Sequence, residues 1–149
     1  MLLTAFSLAT VNVAHGEETS QQAMLHSADQ ALEANKRLVY DFYRVVFEGL
    51  HMEKAGNYLS DEYVQHNPNV KSGRDNFIRF FSSRGKPKPV SEFIQAPLIS
   101  IVAERDLVTL VFERSYTDKD GNTYSSTWFD MFRVQNGKII EHWDPAQKK

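Results

Sequence analysis

The chain predicts an α+β fold: a cone-shaped, curved antiparallel sheet packed against three N-terminal helices. Three observations predict it. Apolar residues recur at helical spacing only in the first half, at Ala31, Leu32, Leu38, Val39, Phe42, Val45 and Val46 and again at Phe77, Ile78, Phe80 and Phe81. From residue 90 onward the pattern is that of strands. Turn signals at Asp118-Lys-Asp-Gly-Asn122 and Asn136-Gly137 join those strands as hairpins. Helices and strands segregated along one chain give an α+β architecture.

The elements follow in order. Residues 1–14 are mostly apolar, Ala14-His15-Gly16 offers a small-x-small cleavage site, and Glu17-Glu18 follows. Residues 1–16 therefore read as a signal peptide, and the protein as exported (periplasmic or secreted); without such a signal it would be cytoplasmic. Residues 17–26 read as a flexible leader and 27–147 as the folded domain. Ser27 is a plausible N-cap for a helix over 28–48, which Gly49 ends. A short helix over 52–59, a break at Ser60-Asp61 and a strand over 62–66 come next, stopped by Asn67-Pro68-Asn69. A third helix covers 73–81, and the prolines of Gly85-Lys-Pro-Lys-Pro89 make a loop. A long strand over 90–102, bent at Pro97, opens the meander. Strands over 107–117, 123–134 and 138–143 complete it.

Composition narrows the function. The chain has 149 residues, which suits one domain, and 42% of them are hydrophobic, enough for a core. Its net charge of -2 and the lack of a basic patch exclude nucleic acid as an expected partner. Cysteine is absent, which excludes disulfides, thiolate nucleophiles and cysteine metal sites. No segment is long and apolar enough for a membrane span, so no membrane role is expected.

The last hairpin is where chemistry concentrates. Side chains alternate faces along a strand. One face of the first strand then carries Trp128, Asp130 and Phe132, and one face of the second carries Ile140, His142 and Asp144. Ionisable groups set among large apolar side chains need partners, and they suit the wall of a pocket that handles protons. Asp130 could donate a hydrogen bond to an enolate oxygen when neutral, or act as a general base. Asp144, two residues from His142, could orient the imidazole. His66 ends a strand beside a proline turn and is a second candidate base. Tyr63, Asn67, Phe77, Trp128 and Phe132 are the expected walls for a small hydrophobic or aromatic carbonyl compound. His66, His142, Asp130 and Asp144 have no sequence-local metal spacing, so neither a metal nor a cofactor is expected. The opposite face, with Phe129, Met131, Glu141 and Trp143, is expected to join two copies as a homodimer.

Several of these residues also carry a resemblance. Tyr63-Val-Gln-His-Asn-Pro68, Gly73 with Phe77 to Phe81, Asp130-Met-Phe-Arg133 and Gly137-Lys-Ile-Ile-Glu-His-Trp-Asp144 resemble the SnoaL-like branch of the nuclear-transport-factor-two-like superfamily. The resemblance spans roughly residues 35–147, and its closing run is typical of a subgroup described as aldol-condensation-type proteins. It implies a cone-shaped, cystatin-like fold. By likeness to ketosteroid isomerases, it implies an oxyanion role for Asp130 and for Tyr43 on the first helix. Those relatives place an aspartate base just before a proline. Here Asn67 stands there and cannot be a base, which leaves His66 at that corner. The resemblance implies cofactor-free proton transfer next to a carbonyl: aldol-type cyclisation, isomerisation or a related lyase step. A non-catalytic binding protein for a small hydrophobic ligand is the alternative.

Overall fold

A computed structural model describes residues 20–148. The signal-peptide segment, 1–16, lies outside the described residues. Five strands form one curved open sheet in the order β1-β5-β4-β3-β2. They are β1 (Leu59–Gln65), β2 (Leu98–Glu104), β3 (Leu107–Thr117), β4 (Thr123–Gln135) and β5 (Lys138–Trp143). β2 to β5 form the expected antiparallel meander. β1, which sits between helices in sequence, joins its edge parallel to β5. At the last turn Asn136 and Gly137 both have positive φ, 52° and 69°, as a two-residue hairpin of this handedness requires.

The helices cover the inner face of the sheet. Part of the segment expected as a leader is helical: α1 (Ser20–Leu25) buries Leu25. The Gln21 amide fastens α1, accepting from the Tyr40 hydroxyl and the Ile94 N–H and donating to the Ile94 carbonyl. The cap of α2 (Gln30–Phe42) is Asp29 rather than Ser27, its carboxylate accepting from the Ala31 and Leu32 N–H groups. The predicted helix end at Gly49 stands, but Tyr43–Glu48 winds as a π-helical turn, closed by Gly49 N–H on the Arg44 carbonyl. A 3₁₀ turn (Met52–Lys54) leads into α3 (Ala55–Tyr58), and α4 (Arg74–Ser82) follows β1.

Two register details differ from the expectation. Residues 90–97 form an irregular loop, not the first part of a strand. Side chains of the helical layer satisfy its backbone: Arg44 donates to the Ser91 and Glu92 carbonyls, and Glu48 accepts from the Gln95 and Ala96 N–H groups. The second difference is a bulge between β4 and β5, where Arg133 pairs with Glu141 but Val134 pairs with Ile139. The extra residue turns Ile139 inward, fully buried, in place of Ile140. His142 keeps its inward place opposite Phe132.

The core joins Val39, Phe42, Tyr43 and Val46 of the first long helix and its π turn to Phe77 and Phe81 of α4 and to Val108, Leu110, Phe112, Phe132 and Ile139 of the sheet. Among the described residues no helix is long and apolar enough to cross a membrane.

Candidate functional site

The curvature of the sheet leaves a cavity of about 910 Å³ between its inner face and the helices. Phe42 and Tyr43 close it from the helical layer, Phe77 and Phe81 from α4, and Trp128 and Phe132 from β4. The five expected wall residues, Tyr63, Asn67, Phe77, Trp128 and Phe132, all line it, as do Tyr43, His142 and Asp144. Asp130 lies just behind the wall, 5% exposed.

Hydrogen-bond accounting fixes how this corner works. The Asn67 backbone N–H donates to Gln65 Oε1 at 2.9 Å, so that atom is an oxygen and the Gln65 amide has one orientation. His142 Nδ1 lies 2.9 Å from the same oxygen and must therefore be the donor, an Nδ1–H. The other ring nitrogen, Nε2, lies 3.2 Å from Asp130 Oδ1. Two lone pairs cannot face each other in a buried site, so one proton lies between Asp130 and His142. Trp128 Nε1–H also donates to Asp130 Oδ1, at 3.0 Å. Asp130 Oδ2 is buried and has no hydrogen-bond partner. Phe132 stacks on the imidazole at 4.6 Å between ring centroids, and both members of the pair are buried.

Two tyrosines supply neutral donors beside the pair. Burial, with Asp130 and Asp144 nearby, pushes the Tyr63 hydroxyl well above its ordinary range. Burial and then the Asp130 charge do the same to Tyr43, with Arg114 partly offsetting them. Both remain phenols at any working pH. Tyr63 accepts from Gln65 Nε2 at 3.1 Å, which leaves its own proton free to donate.

Contrary to the expectation that Asp144 orients the imidazole, Gln65 and Asp130 hold His142. Asp144 accepts from Asn67 Nδ2 at 2.8 Å and from the Ala146 N–H at 2.9 Å, and so fastens the corner after β1 to the C-terminal segment. Asp130, His142 and Asp144 bring ligand atoms within 4.8 Å of one another, an arrangement a divalent cation could use. A cation there would have to displace Gln65 or Asp130 from His142, because both ring nitrogens are already engaged.

His66 lies elsewhere. Its ring stacks on Trp143 at 4.9 Å and its Nε2 meets Glu141 Oε1 at 2.7 Å, on the outer face of the sheet. Hydrogen bonds from His66 and then Arg133 hold the Glu141 carboxyl below its ordinary value. His66 therefore does not serve the cavity. Sequence reasoning missed Gln65, although the two-residue period from Tyr63 points to it and sends His66 to the other face. It also missed Arg84 and Arg114, which line the cavity.

A curved open sheet wrapped around helices and an aromatic cavity is the nuclear-transport-factor-two-like, cystatin-like fold. Residues 39–142 match the SnoaL-like domain, and the chain belongs to that family. A candidate polyketide cyclase from Acidithiobacillus ferrooxidans has a similar structure at a TM-score of 0.54 and 14% identity, over 74% of this chain and 86% of that one. A candidate SnoaL-like polyketide cyclase from Jannaschia sp. matches at a TM-score of 0.53 and 13% identity, over 75% and 85% of the two chains. TerC, crystallised with polyporic acid, matches at a TM-score of 0.50 and 12% identity, over 76% and 92%. These likenesses establish the fold. No curated protein matches the chain significantly.

Proposed function

We propose that this SnoaL-like protein moves a proton next to a carbonyl in a small, flat, hydrophobic compound, using its own side chains. The observation that carries the reading is the Asp130–His142 pair, which shares one proton at the wall of an aromatic cavity. Asp130 holds Nε2, so His142 can pass its Nδ1 proton to solvent before substrate closes over it and remain anchored through Nε2–H. The free Nδ1 then takes the proton from the carbon beside the carbonyl. The electron pair of that C–H bond moves into the enolate, and the proton returns to carbon or to the new oxygen in the second half of the reaction. Gln65 must release Nδ1 for this, which makes Gln65 the group that yields to substrate. Tyr63 and Tyr43 are placed to donate to the enolate oxygen. Aldol-type ring closure and isomerisation both use these steps.

The test is deuterium exchange at the α-carbon of flat aromatic ketones and β-keto esters. Asp130→Asn and His142→Gln are expected to slow exchange by about 10²-fold or more, the usual contribution of general acid-base groups. Ligand binding, followed by thermal shift, should survive in both. Binding without any exchange in the wild type would instead support the non-catalytic reading, a binding protein for a hydrophobic ligand.

The outer sheet face is the proposed homodimer surface. Phe129 and Val102 are 47% and 55% exposed there, large apolar side chains on a free surface. Sedimentation should give a dimer for the wild type and a monomer for Phe129→Glu. An unchanged oligomeric state in that variant would remove this face from consideration.

A further inference from the structure

The chain has eight arginines, of which Arg79 bonds the Asn76 side chain and two others line the cavity. Arg37, Arg44, Arg74 and Arg133 each pair with an acidic side chain on the surface. Arg84 and Arg114, the two that line the cavity, pair with no carboxylate among the described residues. Arg114 projects from the inner face of β3, stacks 3.9 Å from the centre of the Trp128 ring and meets the Tyr43 hydroxyl. Arg84 follows α4 and lies 4.4 Å from the centre of the Phe81 ring, with Phe80 and Phe47 beyond it. Desolvation by its surroundings, and then the like charge of Arg114, lower the Arg84 guanidinium from its ordinary range.

Two guanidinium groups share one cavity, and among the described residues no acid, Asp144 of the same cavity included, pairs with either. Each is laid on an aromatic face, which orients its planar donors while leaving them unpaired with any acid. A planar two-oxygen anion is the complement of such donors. Arg114 and the acid-base pair are also linked through a single side chain. The Trp128 ring face carries Arg114 and its Nε1–H donates to Asp130. An anion held at Arg114 therefore sits one indole away from the proton-transfer pair.

We infer that the natural ligand of this cavity is an aromatic or polycyclic carboxylate, its carboxylate bound by Arg84 and Arg114 and its ring system laid between the aromatic walls. This rests on the proton-transfer reading only for what happens next to the ligand's carbonyl. The binding claim stands on the cavity and its two arginines.

The test compares 2-naphthoate with its neutral isostere 2-naphthamide by titration calorimetry on the full chain. The wild type should bind the carboxylate about tenfold or more tightly than the amide, a preference weakened by added salt. Arg84→Gln and Arg114→Gln should each lose most of that preference. Arg84→Gln should weaken the carboxylate by a larger factor than the amide. Arg84→Lys should keep part of the preference, since it retains the charge and loses the fork. Arg84 is an exposed residue, and a thermal melt of each variant checks that the packing beneath it is kept. Equal affinity for the two probes, a preference that survives both glutamine variants, or no binding of either at millimolar concentration overturns the inference. The proton-transfer reading fails separately: carboxylate preference without α-exchange removes it and leaves this inference in place. Exchange on neutral ketones without carboxylate preference does the reverse.

Discussion

Asp130 and His142 bury a carboxyl and an imidazole where a simple core would place two apolar side chains. Each is tied down by neighbours of fixed polarity, the Trp128 indole on one side and the Gln65 amide on the other. The pair was legible in the sequence because alternation along two strands of a hairpin puts both residues on one face. His66 was misread because its place beside Pro68 outweighed its parity with Tyr63. Tyr43 and Tyr63 lead to a prediction about alkaline stability. Burial raises both hydroxyls above the ordinary tyrosine value of 10.0. Above that pH the unfolded chain releases two protons that the folded chain keeps, so the unfolded state binds fewer protons and stability falls as pH rises. Their contribution is complete below the ordinary value and is lost progressively above it. Urea unfolding from pH 8 upward should show a midpoint that begins to fall near pH 10.0. Tyr63→Phe should flatten the fall.

At the scale of elements, the first long helix does two jobs through its change of winding. Its regular turns supply Val39 and Phe42 to the core, and its π turn supplies Tyr43 to the cavity. Gly49 ends that turn at a close approach: a Cβ there would sit 2.7 Å from the Val45 carbonyl oxygen. Gly49→Ala should therefore destabilise the protein by about 1–3 kcal/mol and disturb the cavity. Asp29→Ala should cost about 1 kcal/mol through the lost cap and leave ligand binding unchanged. Denaturant melts of the two variants, each with and without ligand, separate the effects. The meander and its hairpins were legible because turn residues and period announce them. The loop over 90–97 was not, because Gln21, Arg44 and Glu48 satisfy its backbone from far away in sequence. The parallel place of β1 is likewise set by tertiary pairing with β5, which no local pattern encodes.

At the scale of the molecule, the cavity lies among the same side chains that make the core. Phe42, Tyr43, Phe77, Phe81 and Phe132 belong to both. A ligand there completes the packing and should behave as part of the fold. At a free concentration 100 times its dissociation constant it should add about 2.7 kcal/mol to unfolding stability. A melt that does not respond to a ligand seen by calorimetry would mean that the ligand binds the unfolded chain as well.

The chain's two tryptophans stand on opposite sides of the sheet. Trp128 faces the cavity under Arg114, and Trp143 faces outward under the imidazole of His66. The protein thus carries its own pair of optical reporters. Occupancy of the cavity should alter the emission of Trp128 alone. A second copy docking on the outer face should alter that of Trp143. Single Trp→Phe variants would let one spectrum follow the inside of the molecule and another its surface, with no label added.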